Sequence, residues 1–272
     1  MKRTHLLAVS LLSATVISSQ AALIGYWNLD GDFNDSSGNG NTGTLFGGAS
    51  YSASVPAALG AGSSVAFDGA AGTYGSINHG TGLAVTTLPT YTVSMWVNGD
   101  AALAGNDNVD DRIFSEGMTT NENPLFNVGT RNNTNAPRGV VDIYIRNGQG
   151  AQTLGHVYSP GIAFDGNWHH LVFSGGTDGM LDLYIDGVYD TTFDYSNVPA
   201  FSPDTTTIGG ILRSADCCNF TGNIDDIAMW DRDLNPTEIG LLSTGTSPTV
   251  IPEPSTGILA LLGATLLFRR RR

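Results

Sequence analysis

Between residues 165 and 193 apolar and polar positions alternate with a period of two. Leu171 and Phe173 sit between polar or small neighbours, residues 175–179 (GGTDG) supply a turn, and Leu181, Leu183 and Ile185 alternate with Asp182, Tyr184 and Asp186. Period two on both sides of a turn predicts an antiparallel hairpin with one buried face. Asp186-Gly187 follows, a pair that tolerates the positive φ of a tight turn, and residues 188–193 make a third strand. Strands are also expected at 23–29, 65–69, 74–77, 91–97, 112–115, 125–128, 140–146, 205–211 and 220–230. In 91–97, Tyr91, Val93, Met95 and Val97 share one face and Thr92, Ser94 and Trp96 the other. Large residues on both faces place that strand mid-sandwich with both sides covered. One helix is expected: Asn235 as N-cap, Pro236 in the first turn, Glu238 three residues after the cap, and Ile239, Leu241 and Leu242 to dock it. The pattern therefore reads as an all-β antiparallel sandwich.

The ends of the 272 residues read differently. Residues 1–21 have a basic start at Lys2-Arg3, an apolar run over 6–17, and Ser19 and Ala21 ahead of a cleavage point. This is the layout of a Sec-type signal peptide. Residues 243–250 form a polar linker. Pro252-Glu253-Pro254 then precedes an apolar run over 258–268 and four arginines at 269–272. Eleven helical residues span only ~17 Å, short of a ~30 Å hydrocarbon core, although residues 255–257 lengthen the inserted part, and the arginines would stay cytoplasmic.

Removing the ends changes the charge. Six of the twelve basic residues lie in the terminal segments, and of the twenty-five acids only Glu253 does, so the body holds six arginines against twenty-four acids, a net −18. Such a surface repels nucleic acid and anionic lipid and attracts cations.

Several stretches resemble one family. Trp168-His169-His170-Leu171 with residues 183–187 (LYIDG) is similar to the "W-H-H-V … L-Y-V-D-G" signature of laminin G-like, concanavalin A-like jelly rolls. Residues 30–48 resemble the family's opening "F-D-G-x-x-x-D-S-S-G-N-G", 91–97 its "F-T-V-S-A-W-V" strand, and 220–230 its closing "F-x-G-x-I-D-D-V-x-I-Y" strand. The match extends over most of 24–242 and implies one jelly-roll domain at 22–242. Pro-Glu-Pro, an apolar segment and an arginine cluster resemble the bacterial PEP-CTERM sorting signal over 251–272. That resemblance implies an exosortase as partner, transient membrane contact through the C-terminal apolar helix, and a Gram-negative-type envelope.

Candidate chemistry is sparse. Asp30, Asp32 and Asn34 take EF-hand spacing, but Asp35 stands where glycine is required and Asn41 where glutamate is. A calcium loop of another geometry, using Asp30, Asp35, Asn41 and Asp226, is one reading; an Asx-rich turn closed by its own backbone is the other. Adjacent Cys217 and Cys218 leave three states open: a vicinal disulfide, intermolecular pairing, or free thiols. None of the four glutamates fits the Glu-x-Asp-x-(x-)Glu motif of retaining glycosidases. Asp225-Asp226, as adjacent strand residues, should point to opposite faces. His169 and His170 should diverge likewise, which favours a structural role over a metal site. Trp27, Trp96, Trp168 and Trp230 are expected to pack in the core rather than stack on sugar. The expectation is thus a non-catalytic exported protein that binds carbohydrate or protein. The alternatives are a polysaccharide hydrolase or lyase on the same scaffold and a purely structural envelope protein.

Overall fold

The computed structural model describes residues 23–79, 83, 85–99, 109–176, 179–195 and 203–251. The expectations for residues 1–21 and for the tail with Pro252, Glu253 and Pro254 lie outside them. One sheet runs β13 (Val188–Asp194), β12 (Met180–Ile185), β11 (Trp168–Gly176), β6 (Thr90–Asn98), β17 (Thr221–Trp230), β4 (Ser64–Asp68), β3 (Ser50–Ser52), with β1 (Leu23–Trp27) also on β17. The second runs β10 (Gln152–Ile162), β9 (Val140–Arg146), β8 (Asn121–Thr130), β7 (Arg112–Met118), β14 (Thr205–Ile208), β5 (Tyr74–Asn78), β2 (Thr44–Phe46). Every ladder between these strands is antiparallel.

The predicted meander is β11–β12–β13, with Phe173 opposite Leu183 and Leu181 opposite Phe193. Asp186 (φ 53°) and Gly187 (φ 78°) both take the left-handed region, as a two-residue hairpin turn of the primed kind requires. The Asp186 carboxylate also accepts from the His170 backbone N–H at 2.9 Å and meets His169 Nδ1 at 2.8 Å. That staple ties the two halves of the sequence signature together.

Inward-facing residues of both sheets form one core, including Trp27, Val93, Met95, Leu171 and Ile227 from the first and Ile77, Phe126, Val128, Ile143 and Ile208 from the second. Phe114, Phe126 and Phe173 meet across it with ring centroids 5.2–6.1 Å apart. β6 lies between β11 and β17, and its outer residues Thr92, Ser94 and Trp96 are covered as expected. The cover includes α1 (Pro236–Leu242), whose Asn235–Glu238 capping box is complete. It docks through Ile239 and Leu242, while Leu241 is 42% exposed, contrary to expectation. Residues three apart share a helix face; Leu241 falls on the opposite one. Past the helix, Pro248–Val250 form a 3-10 turn and Ile251 is buried against Tyr26, Trp230 and Leu242.

The strand expected over 205–211 breaks at Gly209, where φ is +72° and a Cβ would stand 2.5 Å from the Phe67 ring. The chain turns there into a hairpin, β15 (Ile211–Arg213) and β16 (Ala215–Cys217), packed on β7 and β8. Two backbone bonds tie it down: the Ser214 N–H donates to Thr119 O, and the Arg112 N–H donates to Cys218 O.

Candidate functional site

The four residues expected around calcium occupy two places. Asp35 accepts from the backbone N–H groups of Tyr26, Ser37 and Asn41 at 2.8–3.0 Å, and the Asn41 side chain donates to Ile24 O. Burial alone would raise the Asp35 pKa, but these hydrogen bonds prevail and hold it below the usual carboxylate range. Asp30 and Asp226, by contrast, line one pocket of about 180 Å³ together with Tyr26, Asn28, Asp225 and Ser247.

Asp225 in that pocket corrects the sequence reading. Strict alternation would send Asp225 and Asp226 to opposite faces, but a bulge interrupts the β17–β6 register between Asp225 and Ala228, and Asp226 adopts φ 49°. Both side chains reach the same pocket. Asp226 Oδ1 accepts from the Tyr26 hydroxyl at 2.6 Å, and Asp225 Oδ1 accepts from the Asp226 N–H at 2.9 Å. Burial, then the charges of Asp226 and Asp30, push Asp225 up to about 8. Burial pushes Asp226 up to about 6, opposed by the Tyr26 hydroxyl. Among the described residues, however, no three His, Cys, Asp or Glu side chains converge at metal-holding distance.

A second cluster lies on the outer face of the second sheet. Cross-strand pairing sets Thr207 beside Ser115, Ser115 beside Asn127, and Asn127 beside Tyr144 in one row. The Tyr144 ring stacks on His156 at 4.5 Å, and both are half-buried. Thr207 Oγ1, Ser115 Oγ and Asn127 Oδ1 are buried with no hydrogen-bond partner. Beside the row, buried Arg112 donates to Asp142 at 2.8 Å and also pairs with Asp110, and Asp142 meets His156 Nδ1 at 2.7 Å. His156 stands in β10, whose Gly155 and Pro160 and shifted registers hide the strand alternation in the sequence.

The remaining candidates make their contacts within the scaffold. His170 Nε2 lies 2.8 Å from Ser94 Oγ, and His169 sits between Asp165 and Asp186. Glu116 is buried and accepts from Val85 N–H and the Thr206 hydroxyl, and Glu238 caps α1. Trp27, Trp96 and Trp230 are buried, and Trp168 is half-buried. The Sγ atoms of Cys217 and Cys218 lie 2.9 Å apart, without a bond between them in this structure.

A family model described as the concanavalin A-like lectin/glucanases superfamily matches residues 68–240, and one for the PEP-CTERM protein-sorting motif matches 250–272. No curated protein matches the chain. Among solved structures, domain 4 of AbnA, a GH43 extracellular arabinanase from Geobacillus stearothermophilus in complex with arabinotriose, is similar with TM-score 0.57 and 19% identity, over 82% of this chain and 99% of that one. The botulinum neurotoxin type G receptor binding domain gives 0.59 and 13% over 82% and 51%, and the binding domain of Paraclostridial Mosquitocidal Protein 1 gives 0.61 and 13% over 82% and 52%. This chain thus spans about half of each toxin domain, and at such identities the likeness is one of fold. Since the first family model covers well over half of the residues, and the sandwich has that architecture, the chain belongs to the concanavalin A-like lectin/glucanase superfamily and carries a PEP-CTERM sorting motif.

Proposed function

We propose that this is an exported protein of the cell surface or extracellular matrix whose sandwich binds carbohydrate without cleaving it. The observation that carries the reading is the half-buried, stacked Tyr144–His156 pair on the outer face of the second sheet. Thr207, Ser115 and Asn127 are 0–1% exposed, so a ligand would reach the row only at its Tyr144–His156 end, where both rings are half-buried. Stacked rings suit a sugar, which offers C–H groups on its face to the rings and hydroxyls along its edge to the polar groups around them. The arabinanase domain solved with arabinotriose, and a botulinum neurotoxin binding domain solved with SialylT, support that ligand class on this fold. A glycan array probed with the full chain tests it. Binding to at least one polysaccharide is expected, weakened about tenfold or more by Tyr144→Ala, equivalent to ~1.4 kcal/mol, with the melting midpoint unchanged. An array blank throughout, or binding indifferent to Tyr144→Ala, refutes the site.

Export through Sec, sorting through Pro252, Glu253 and Pro254, and cutting by an exosortase-type enzyme at a Gram-negative-type envelope complete this reading. A fluorescent fusion inserted before Ser243 should move to the surface, and Glu253→Ala should hold it at the membrane. A hydrolase or lyase is the second reading, favoured by the raised Asp225 carboxyl. The Asp225 pocket, at about 180 Å³, falls below the ~300–1,000 Å³ usual for organic ligands. It suits an ion better: the oxygens of Asp30, Asp225, Asp226, Asn28 and Ser247 that line it are of the kind calcium takes, and an ion would have to draw the separated carboxylates together, with waters or carbonyls filling the rest. A calcium ion there would be structural, neutralising carboxylates that burial leaves uncompensated.

A further inference from the structure

Cys217 ends β16, the second strand of the hairpin that packs on β7 and β8, and Cys218 follows it. Both are half-buried, and their environments differ. The Cys218 thiol donates toward Cys217 Sγ at 2.9 Å and toward Asp110 Oδ2 at 3.7 Å, so Cys218 is the one that keeps its proton. Cys217 receives that bond and lies beside Arg213. The bond from Cys218 lowers the Cys217 pKa to about 6, burial opposes it, and the Arg213 guanidinium assists; Cys218 is pushed up, first by its role as donor and then by burial. With Arg213 beside Cys217 and the Asp110 carboxylate beside Cys218, the thiolate is favoured at Cys217 and the thiol at Cys218. Cys218 holds φ 58°, a left-handed conformation costly for a non-glycine residue, and its carbonyl takes the Arg112 N–H.

From this geometry we infer that Cys217 and Cys218 are a redox-active dithiol, Cys217 the attacking sulfur and Cys218 the resolving one, whose substrate is the disulfide of a dithiol–disulfide exchange protein or of glutathione. The Cys217 thiolate attacks one sulfur of the donor disulfide, forming a mixed disulfide and expelling the other sulfur as thiolate. Cys218 then loses its proton and attacks Cys217 Sγ, breaking the mixed bond and releasing the second donor thiolate. Two cysteine thiols become one intrachain disulfide, and the donor gains two electrons and two protons. Neighbouring Cα atoms stand ~3.8 Å apart, below the ~4.4–6.8 Å of ordinary disulfides, so the ring is strained and readily reduced again. The strain falls on the Cys218 peptide that anchors the hairpin to β7, so each redox state holds residues 211–218 differently.

The test equilibrates the full chain in glutathione buffers from reducing to oxidising at pH 7, followed by alkylation, intact mass and hydrogen exchange. A monomer that passes from two alkylatable thiols to none, losing two hydrogens in mass, is expected. Cys218→Ser should trap glutathione on Cys217, and Cys217→Ser should trap little on Cys218; melting curves check that both variants fold. Exchange over 211–218 should differ between the two forms and stay unchanged in β9. Thiols that persist in oxidising buffer, or oxidation solely as dimers, overturn the dithiol. Equal trapping on either cysteine overturns the assigned roles, and identical exchange overturns the link to the hairpin.

Discussion

His170→Gln isolates the energetic consequence of burying a histidine without charge. His170 is 1% exposed, bonded through Nε2 to Ser94, packed on Trp96 at 5.1 Å, and its Nδ1 has no partner. Burial lowers its pKa from 6.5 to about 3, against a weak pull upward from Asp186. Between those values the unfolded chain carries a proton that the native state refuses. Stability from this group is therefore complete above pH 6.5 and lost as pH falls toward 3. At ~1.36 kcal/mol per pH unit the loss is about 2 kcal/mol by pH 5. Gln cannot titrate, and its imperfect fit should cost ~1–3 kcal/mol at pH 7. The gap between wild type and variant should then shrink by about 2 kcal/mol from pH 7 to pH 5. Urea unfolding followed by tryptophan fluorescence at pH 7, 6 and 5 measures it. His169 and the carboxylates titrate in both proteins and cancel in the difference. A gap that stays constant to within ~0.5 kcal/mol, inside the usual additivity error, refutes the reasoning.

Three further outcomes are expected. Arg112→Met leaves fully buried Asp142 without its main partner and should cost ~3–5 kcal/mol in urea unfolding, most of it recovered when Asp142 is replaced by Leu in the same chain. Asn235→Ala removes the cap bonds to the Thr237 and Glu238 N–H groups and should cost ~1 kcal/mol, a fall of about 2–4 °C in melting midpoint. Calcium at ~100 times its dissociation constant should add ~2.7 kcal/mol over chelator-treated protein, and Asp226→Asn should abolish the gain; identical melts with calcium and chelator retire the ion.

How far the site was legible depends on how local each feature is. The Asp186-Gly187 turn, the Asn235–Glu238 capping box and the divergence of His169 and His170 could all be read, because each follows from residues a few positions apart or from strand alternation. Asp225 was missed as a pocket residue because a bulge is set by pairing with β6, which leaves no mark on the local pattern. Gly155, Pro160 and the turn at Gly209 likewise obscured β10 and the β15–β16 hairpin.

Period-two alternation, turn chemistry and one helix cap were enough to determine an antiparallel sandwich, since side-chain direction along a strand is a property of neighbouring residues. Only the tertiary structure decided which strands adjoin, and with them the sites. Tyr26 meets Asp226 across 200 positions, and Thr207 of β14 joins the row that Ser115, Asn127 and Tyr144 form on the consecutive strands β7, β8 and β9 because a strand far along the chain pairs with β7. The physical reason is that such contacts arise from burying the common apolar face, which constrains each strand's inward residues and leaves its outward ones to be matched by whichever strand packs beside it.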